Sequence, residues 1–141
     1  MYSFNPDWGF MAKILIVDDE PDVRNMLESV LRSEGHQVLS IGNGAEAIKI
    51  LMGMEEIDIM VTDLHMVPVD GVEIVETGHS ERPDMDIIVL SAFINDETFE
   101  KLVNLGVSGF VDKPFTLTLA EAREVVRQIG LPCVIRPSFT L

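Results

Sequence analysis

Lys13, Ile14, Leu15, Ile16 and Val17 run without a polar break into Asp18 and Asp19. The same shape recurs downstream. Ile57 to Val61 leads through Thr62 into Asp63, Ile87 to Leu90 leads into Ser91, and Val107 to Val111 leads through Asp112 into Lys113 and Pro114. Short apolar runs of this kind read as strands buried on both faces, which is the habit of parallel sheets. If they are parallel neighbours, their carboxyl ends bring Asp18, Asp19, Asp63, Ser91 and Lys113 to one edge. Ligands bind at that edge in open parallel sheets. Clustered acids repel one another, so such a site suits a hard cation such as Mg²⁺. The serine and lysine suit an anion such as a phosphoryl group.

Between the strands the pattern changes to helical spacing. Pro21 fits a first helical turn, and Val23, Met26, Leu27, Val30 and Leu31 follow at the spacing of one face, with Gly35 as the stop. Gln37–Ile41 reads as a second strand and residues 44–52 as a second helix. A third helix spans about residues 71–80, although Thr77, Gly78, His79 and Ser80 are poor helix formers. Asn95 or Asp96 caps a fourth helix that ends at Gly106, and a fifth covers about residues 118–129. Five alternating strand–helix units predict an α/β fold, a parallel sheet with helices on both faces.

The chain has 141 residues, enough for one domain with a sizeable core. Residues 12–130 are assigned to it, residues 131–141 to a tail, and residues 1–11 to an N-terminal extension, native or left by cloning. The formal charge of −14 repels nucleic acid and anionic lipid, so neither is expected as a partner. The single cysteine, Cys133, fits a reducing cytoplasm and reads as inert. No apolar run reaches the ~20 residues of a membrane span, and the first residues do not resemble a signal peptide. His36 and His79 read as surface residues, and the methionines as core filler.

The motifs resemble a known family. Ile14 to Pro21, Asp63-Leu64-His65-Met66 with Asp70-Gly71, Leu90-Ser91-Ala92, and Phe110 to Phe115 together are similar to the receiver domain of two-component response regulators, of the stand-alone chemotaxis type. The resemblance covers about residues 12–130. It implies a flavodoxin-like single domain, a three-layer sandwich with five parallel strands in the order 2-1-3-4-5. It implies that Asp63 accepts a phosphoryl group from a sensor histidine kinase or a phosphotransfer protein. Asp18, Asp19, Asp63 and the backbone carbonyl of His65 would hold Mg²⁺. Lys113 would pair with Asp63 and then with the phosphoryl oxygens, through a cis Lys113–Pro114 bond.

Ser91 and Phe110 would be the switch pair, remodelling the surface of helix four, strand five and helix five for a downstream protein. A second copy of the chain is left open as a partner. His65 and Phe93 occupy the positions that tune phosphate lifetime, and the Phe93 ring is expected to shield the phosphate from water. Two departures stand out. Proline follows Met66 one place late, at Pro68, which predicts a reshaped loop. Gly78 stands where helix three normally presents an apolar residue, which predicts a loose or remodelled face. Three alternatives remain. They are an aspartyl-nucleophile phosphohydrolase, a binding module that never takes phosphate, and the receiver portion of a longer hybrid kinase or transcription regulator.

Overall fold

The computed structural model describes the backbone of residues 3–5 and 9–112 and the side chains of residues 11–111. The fifth helix, the tail and the Lys113–Pro114 bond lie outside the described residues. β1 (Ser3–Asn5) and β2 (Gly9–Met11) form an antiparallel hairpin that is a sheet of its own. β3 (Lys13–Val17), β4 (Gln37–Ile41), β5 (Ile59–Asp63), β6 (Asp86–Ser91) and β7 (Gly109–Asp112) form the main sheet. Every pairing in it is parallel, and the order is β4-β3-β5-β6-β7. Counting only these five strands, that is 2-1-3-4-5, the flavodoxin-like order expected from the resemblance.

The strands alternate faces with period two. Leu15, Val17 and Met60 join Ala47, Leu51, Ile74, Val75 and Leu102 in one core layer. These helical residues come from α2 (Gly44–Leu51), α3 (Gly71–Glu81) and α4 (Asp96–Asn104). Ile14, Ile16, Ile59 and Val61 meet Val23, Leu27 and Leu31 of α1 (Pro21–Ser33) in the other. Sequence explains where the helices begin and end. Asn43, Asp70 and Asn95 each accept a hydrogen bond from the backbone N–H three residues on, at 2.8, 3.0 and 2.8 Å. Gly35 after α1 and Gly106 after α4 have φ of 94° and 85°, a conformation open to glycine at no steric cost.

The structure bears on three expectations, for Gly78, the methionines and His36. Of the two outcomes expected at Gly78, a loose or a remodelled face, the structure has the remodelled one. Gly78 is buried, and a Cβ there would lie 3.0 Å from Met85 Cε and 3.2 Å from Met60 Cε. The flexible methionines fill the space that a larger helix residue would otherwise take. Other methionines are not core filler, since Met52 and Met54 are exposed.

His36 is not a surface residue either. It is buried, and its Nδ1 accepts a hydrogen bond from the Ala12 N–H at 3.0 Å. That bond requires the neutral ring, with its proton on Nε2. Burial lowers the His36 pKa below 6.5, and the nearby Glu34 opposes the shift only partly. The unfolded chain therefore binds the proton more readily. The stability this ring contributes is present above the unfolded value of 6.5 and declines as pH falls from there to the lowered folded value. Urea unfolding is expected to show a lower midpoint at ~pH 5.5 than at ~pH 7.5. The drop should shrink in His36→Asn, whose amide oxygen can replace Nδ1 as the acceptor without titrating.

Candidate functional site

The register assembles the site. Val17 pairs with Thr62, so Asp18 and Asp63, the next residues, leave adjacent strands side by side. Asp63 pairs with Leu90, which places Ser91 one residue beyond it, and Ser91 pairs with Asp112. Asp18, Asp63 and Ser91 are all buried, at 0%, 3% and 3% exposure. Lys113 and the Lys113–Pro114 peptide bond lie outside the described residues.

The acidic corner is built on the turn after β3. The carboxylate oxygens of Asp18, Asp19 and Glu20 lie within 4.8 Å of one another, Asp18 buried and the other two exposed. Asp18 Oδ1 accepts from the Glu20 N–H at 2.9 Å, which closes the turn, while the Asp18 N–H donates to the Ile41 carbonyl at 3.2 Å. Arg24 Nη1 donates to the Asp18 carbonyl at 2.6 Å. Its guanidinium lies against Gly42, where a Cβ would come within 2.7 Å of Nη1. Arg24 thus ties the acidic turn to the loop after β4. Sequence reading missed it, because nothing along the chain marks Arg24 as a neighbour of Gly42.

Asp63 is framed from three sides. Its Oδ1 accepts from the His65 N–H at 3.2 Å, and its carbonyl accepts from Thr62 Oγ1 at 3.0 Å. The first residue of α3, Gly71, packs against the Asp63 carbonyl oxygen and the Leu64 Cα, with no room for a Cβ. The Gly71 N–H donates to the Leu64 carbonyl at 2.9 Å. The loop between holds a cis Val67–Pro68 bond, a local form that the shifted proline foreshadowed only in outline.

On the other side of Asp63, Ser91 Oγ donates to the Phe93 carbonyl at 2.8 Å and accepts from the Phe93 N–H at 3.2 Å. His65 Nε2 lies 3.0 Å from the same carbonyl and 3.4 Å from Ser91 Oγ. Phe93 is 70% exposed, and its contacts with Ser91 and His65 are made by its backbone. Phe110 packs against Phe99 of α4, with ring centroids 4.7 Å apart and ring planes tilted by 39°. A cleft of about 320 Å³ lined by Ile57, Asp58, Arg82 and Met85 lies at the opposite edge of the sheet. There Arg82 donates to the carbonyls of Ile50, Leu51 and Gly53, so its role is to cap the end of α2.

A donor set made of carboxylates alone suits a hard divalent cation rather than a soft one. With the parallel order and an acid at the switch-point edge, it defines an α/β module of the flavodoxin-like type with a candidate cation site. The chain belongs to the response regulator receiver domain family, whose sequence model matches residues 14–124. Receiver domains act in two-component signalling, as modules rather than classical enzymes, and bind Mg²⁺ at an acidic pocket.

Among relatives, the response regulator SaeR of Staphylococcus aureus is 34% identical over 120 residues, covering 85% of this chain and 50% of that one. The chain spans about half the length of the curated relatives it matches. The CheY-like receiver domain protein from Methanospirillum hungatei superposes with a TM-score of 0.79 over 91% of this chain and 98% of that one. At 22% identity it speaks for the fold alone. Response regulator TrrA from Thermotoga maritima, solved in complex with Mg(2+)-BeF, is 30% identical with a TM-score of 0.67, covering 84% of this chain and 99% of that one. Among the described residues, no helix is long and apolar enough to cross a membrane.

Proposed function

We propose that this chain is a phosphorylation switch, with Asp63 as the residue that takes the phosphoryl group. The observation that carries the reading is the register, which sets buried Asp63 between the acidic turn and Ser91. The donor would be a phosphohistidine of a sensor kinase or phosphotransfer protein. An Asp63 carboxylate oxygen attacks phosphorus, an O–P bond forms, and the N–P bond to the histidine breaks. The departing imidazole keeps the electron pair of that bond. The product is an acyl phosphate, which water later cleaves.

Asp18, Asp19, Asp63 and the His65 carbonyl would hold Mg²⁺. Glu20 adds a third carboxylate to the acidic turn. When bound, the metal offsets the repulsion between a carboxylate and a phosphoryl dianion. The chain's own residues do the rest. The His65 N–H fixes the Asp63 carboxylate in one orientation. Lys113 would neutralise Asp63 before transfer and bind phosphoryl oxygens after it. Ser91 would donate its O–H to the phosphoryl group, and Phe110 would follow it, reshaping the surface of α4, β7 and the following helix for a downstream protein. In energetic terms the phosphoryl group favours the second state of a two-state pair.

The test is intact mass after incubation with acetyl phosphate. Gain of one phosphoryl group in the wild type, absent in Asp63→Asn and without Mg²⁺, is the expected result. Gain in Asp63→Asn would move the acceptor elsewhere. No gain, together with no measurable Mg²⁺ affinity, would favour a binding module that never takes phosphate.

Phe93 is the second tuning position. Its exposed ring can cover the phosphate only from the solvent side. Phe93→Ala is expected to lose phosphate faster than the wild type, and an unchanged decay rate would remove shielding from its roles.

A further inference from the structure

We propose that the His65 side chain is a latch that holds the Ser91 hydroxyl in its resting position. The inference rests on the reading of Ser91 as a phosphoryl ligand. Two loops meet here, residues 64–70 after β5 and residues 92–95 after β6. They are joined by three groups, the His65 imidazole, the Ser91 hydroxyl and the Phe93 carbonyl.

The chemistry assigns the protons. A carbonyl oxygen only accepts, so His65 Nε2 carries a hydrogen and donates to Phe93 at 3.0 Å. Ser91 Oγ donates to the same oxygen at 2.8 Å, filling its second lone pair. A serine has one O–H. While that hydrogen serves the Phe93 carbonyl it cannot serve a phosphoryl oxygen on Asp63. The Ser91 oxygen also accepts from the Phe93 N–H at 3.2 Å, and His65 Nε2 lies 3.4 Å away on the same oxygen. Each bond holds the others in place, as in any closed hydrogen-bond network.

His65 is what makes this network more than a local turn. Without it, Ser91 and Phe93 form only a short local ring, between the buried end of β6 and the exposed residue two places on. With it, the loop after β6 is tied to the loop that begins at the acceptor itself. Turning Ser91 toward Asp63 means dismantling a contact across two loops. His65 is therefore a positioning residue, acting on the phosphoryl site through Ser91 and opposing the switched state until phosphate arrives.

The test compares His65→Leu, which keeps bulk but removes the N–H, with His65→Gln, which keeps a neutral donor near the Nε2 position. Both retain the backbone carbonyl. The rate of phosphoryl gain from acetyl phosphate is expected to rise about three- to ten-fold in His65→Leu, the worth of one net hydrogen bond. His65→Gln should move the rate back toward the wild type. A merely space-filling role predicts the reverse ordering, with leucine resembling the wild type, and that result would overturn the latch. So would a slower rate in His65→Leu.

A second readout needs no phosphate. Backbone amide relaxation of residues 92–95 should show microsecond-to-millisecond exchange in His65→Leu and little in His65→Gln. Equal exchange in both variants overturns the latch. If the wild type gains no phosphoryl group, the acceptor reading fails, and this relaxation measurement still decides whether His65 holds the loop.

Discussion

Gly71→Ala is expected to lower the stability of the domain by about 3 kcal/mol and to abolish phosphoryl gain at Asp63. The added Cβ would drive into the Asp63 carbonyl oxygen and the Leu64 Cα. Both are backbone atoms, so no rotamer change relieves the overlap. Either α3 retreats, losing the Gly71 N–H to Leu64 carbonyl bond at 2.9 Å, or the end of β5 shifts and takes the acceptor with it. Stability and chemistry should therefore fall together. Gly53→Ala is the milder comparison, because its Cβ would approach the Lys49 carbonyl at 3.3 Å, a tight contact that a shift of a few tenths of an ångström relieves. It should stay within about 0.5 kcal/mol of the wild type, as surface substitutions do. Urea unfolding and intact mass on the two variants check both halves. A Gly71→Ala protein with wild-type stability would mean that α3 can be displaced at no cost.

The second large effect concerns the acidic turn. Asp18→Asn is expected to weaken Mg²⁺ binding by about 100-fold or more and to slow phosphoryl gain in proportion. The substitution keeps the Oδ1 acceptor for the Glu20 N–H, so the turn can close as before. What is lost is one carboxylate oxygen of the only buried member of the acidic group. Asp19 and Glu20 are exposed, where water screens them, so the same change at Glu20 should cost less. Isothermal titration with Mg²⁺ separates binding from chemistry. Equal affinities for Asp18→Asn and the wild type would place the cation site elsewhere.

Much of this was legible in the sequence, for identifiable reasons. A parallel sheet needs apolar residues on both faces of each strand, so β3, β5 and β6 announce themselves as unbroken runs. The site follows from their ends, because residues that terminate neighbouring parallel strands must share one edge. Helix limits were readable at Asn95, Gly35 and Gly106, whose roles are local, whereas the caps at Asn43 and Asp70 emerged only in the structure.

What escaped were individual contacts that a side chain or a glycine makes with a distant partner. His36 looks like a loop histidine until pairing of β3 with β4 brings Ala12 to its Nδ1. Gly78 looks like a defect in α3 until Met60 and Met85 are seen to close over it. The hairpin of β1 and β2 carries no clear alternation of its own. The contact of His65 with the Phe93 carbonyl joins residues 28 apart through a backbone oxygen, and sequence carries no mark of a backbone acceptor.

The most direct test of the central claim is to locate the phosphoryl group chemically. Borohydride reduces an acyl phosphate to an alcohol and leaves an ordinary carboxylate intact. After incubation with acetyl phosphate and Mg²⁺, reduction and peptide mass mapping should find the alcohol at position 63 and at no other acid. Reduction at Asp18, Asp19 or another carboxylate, with position 63 untouched in protein that has gained a phosphoryl group, would contradict the assignment of Asp63 as the acceptor.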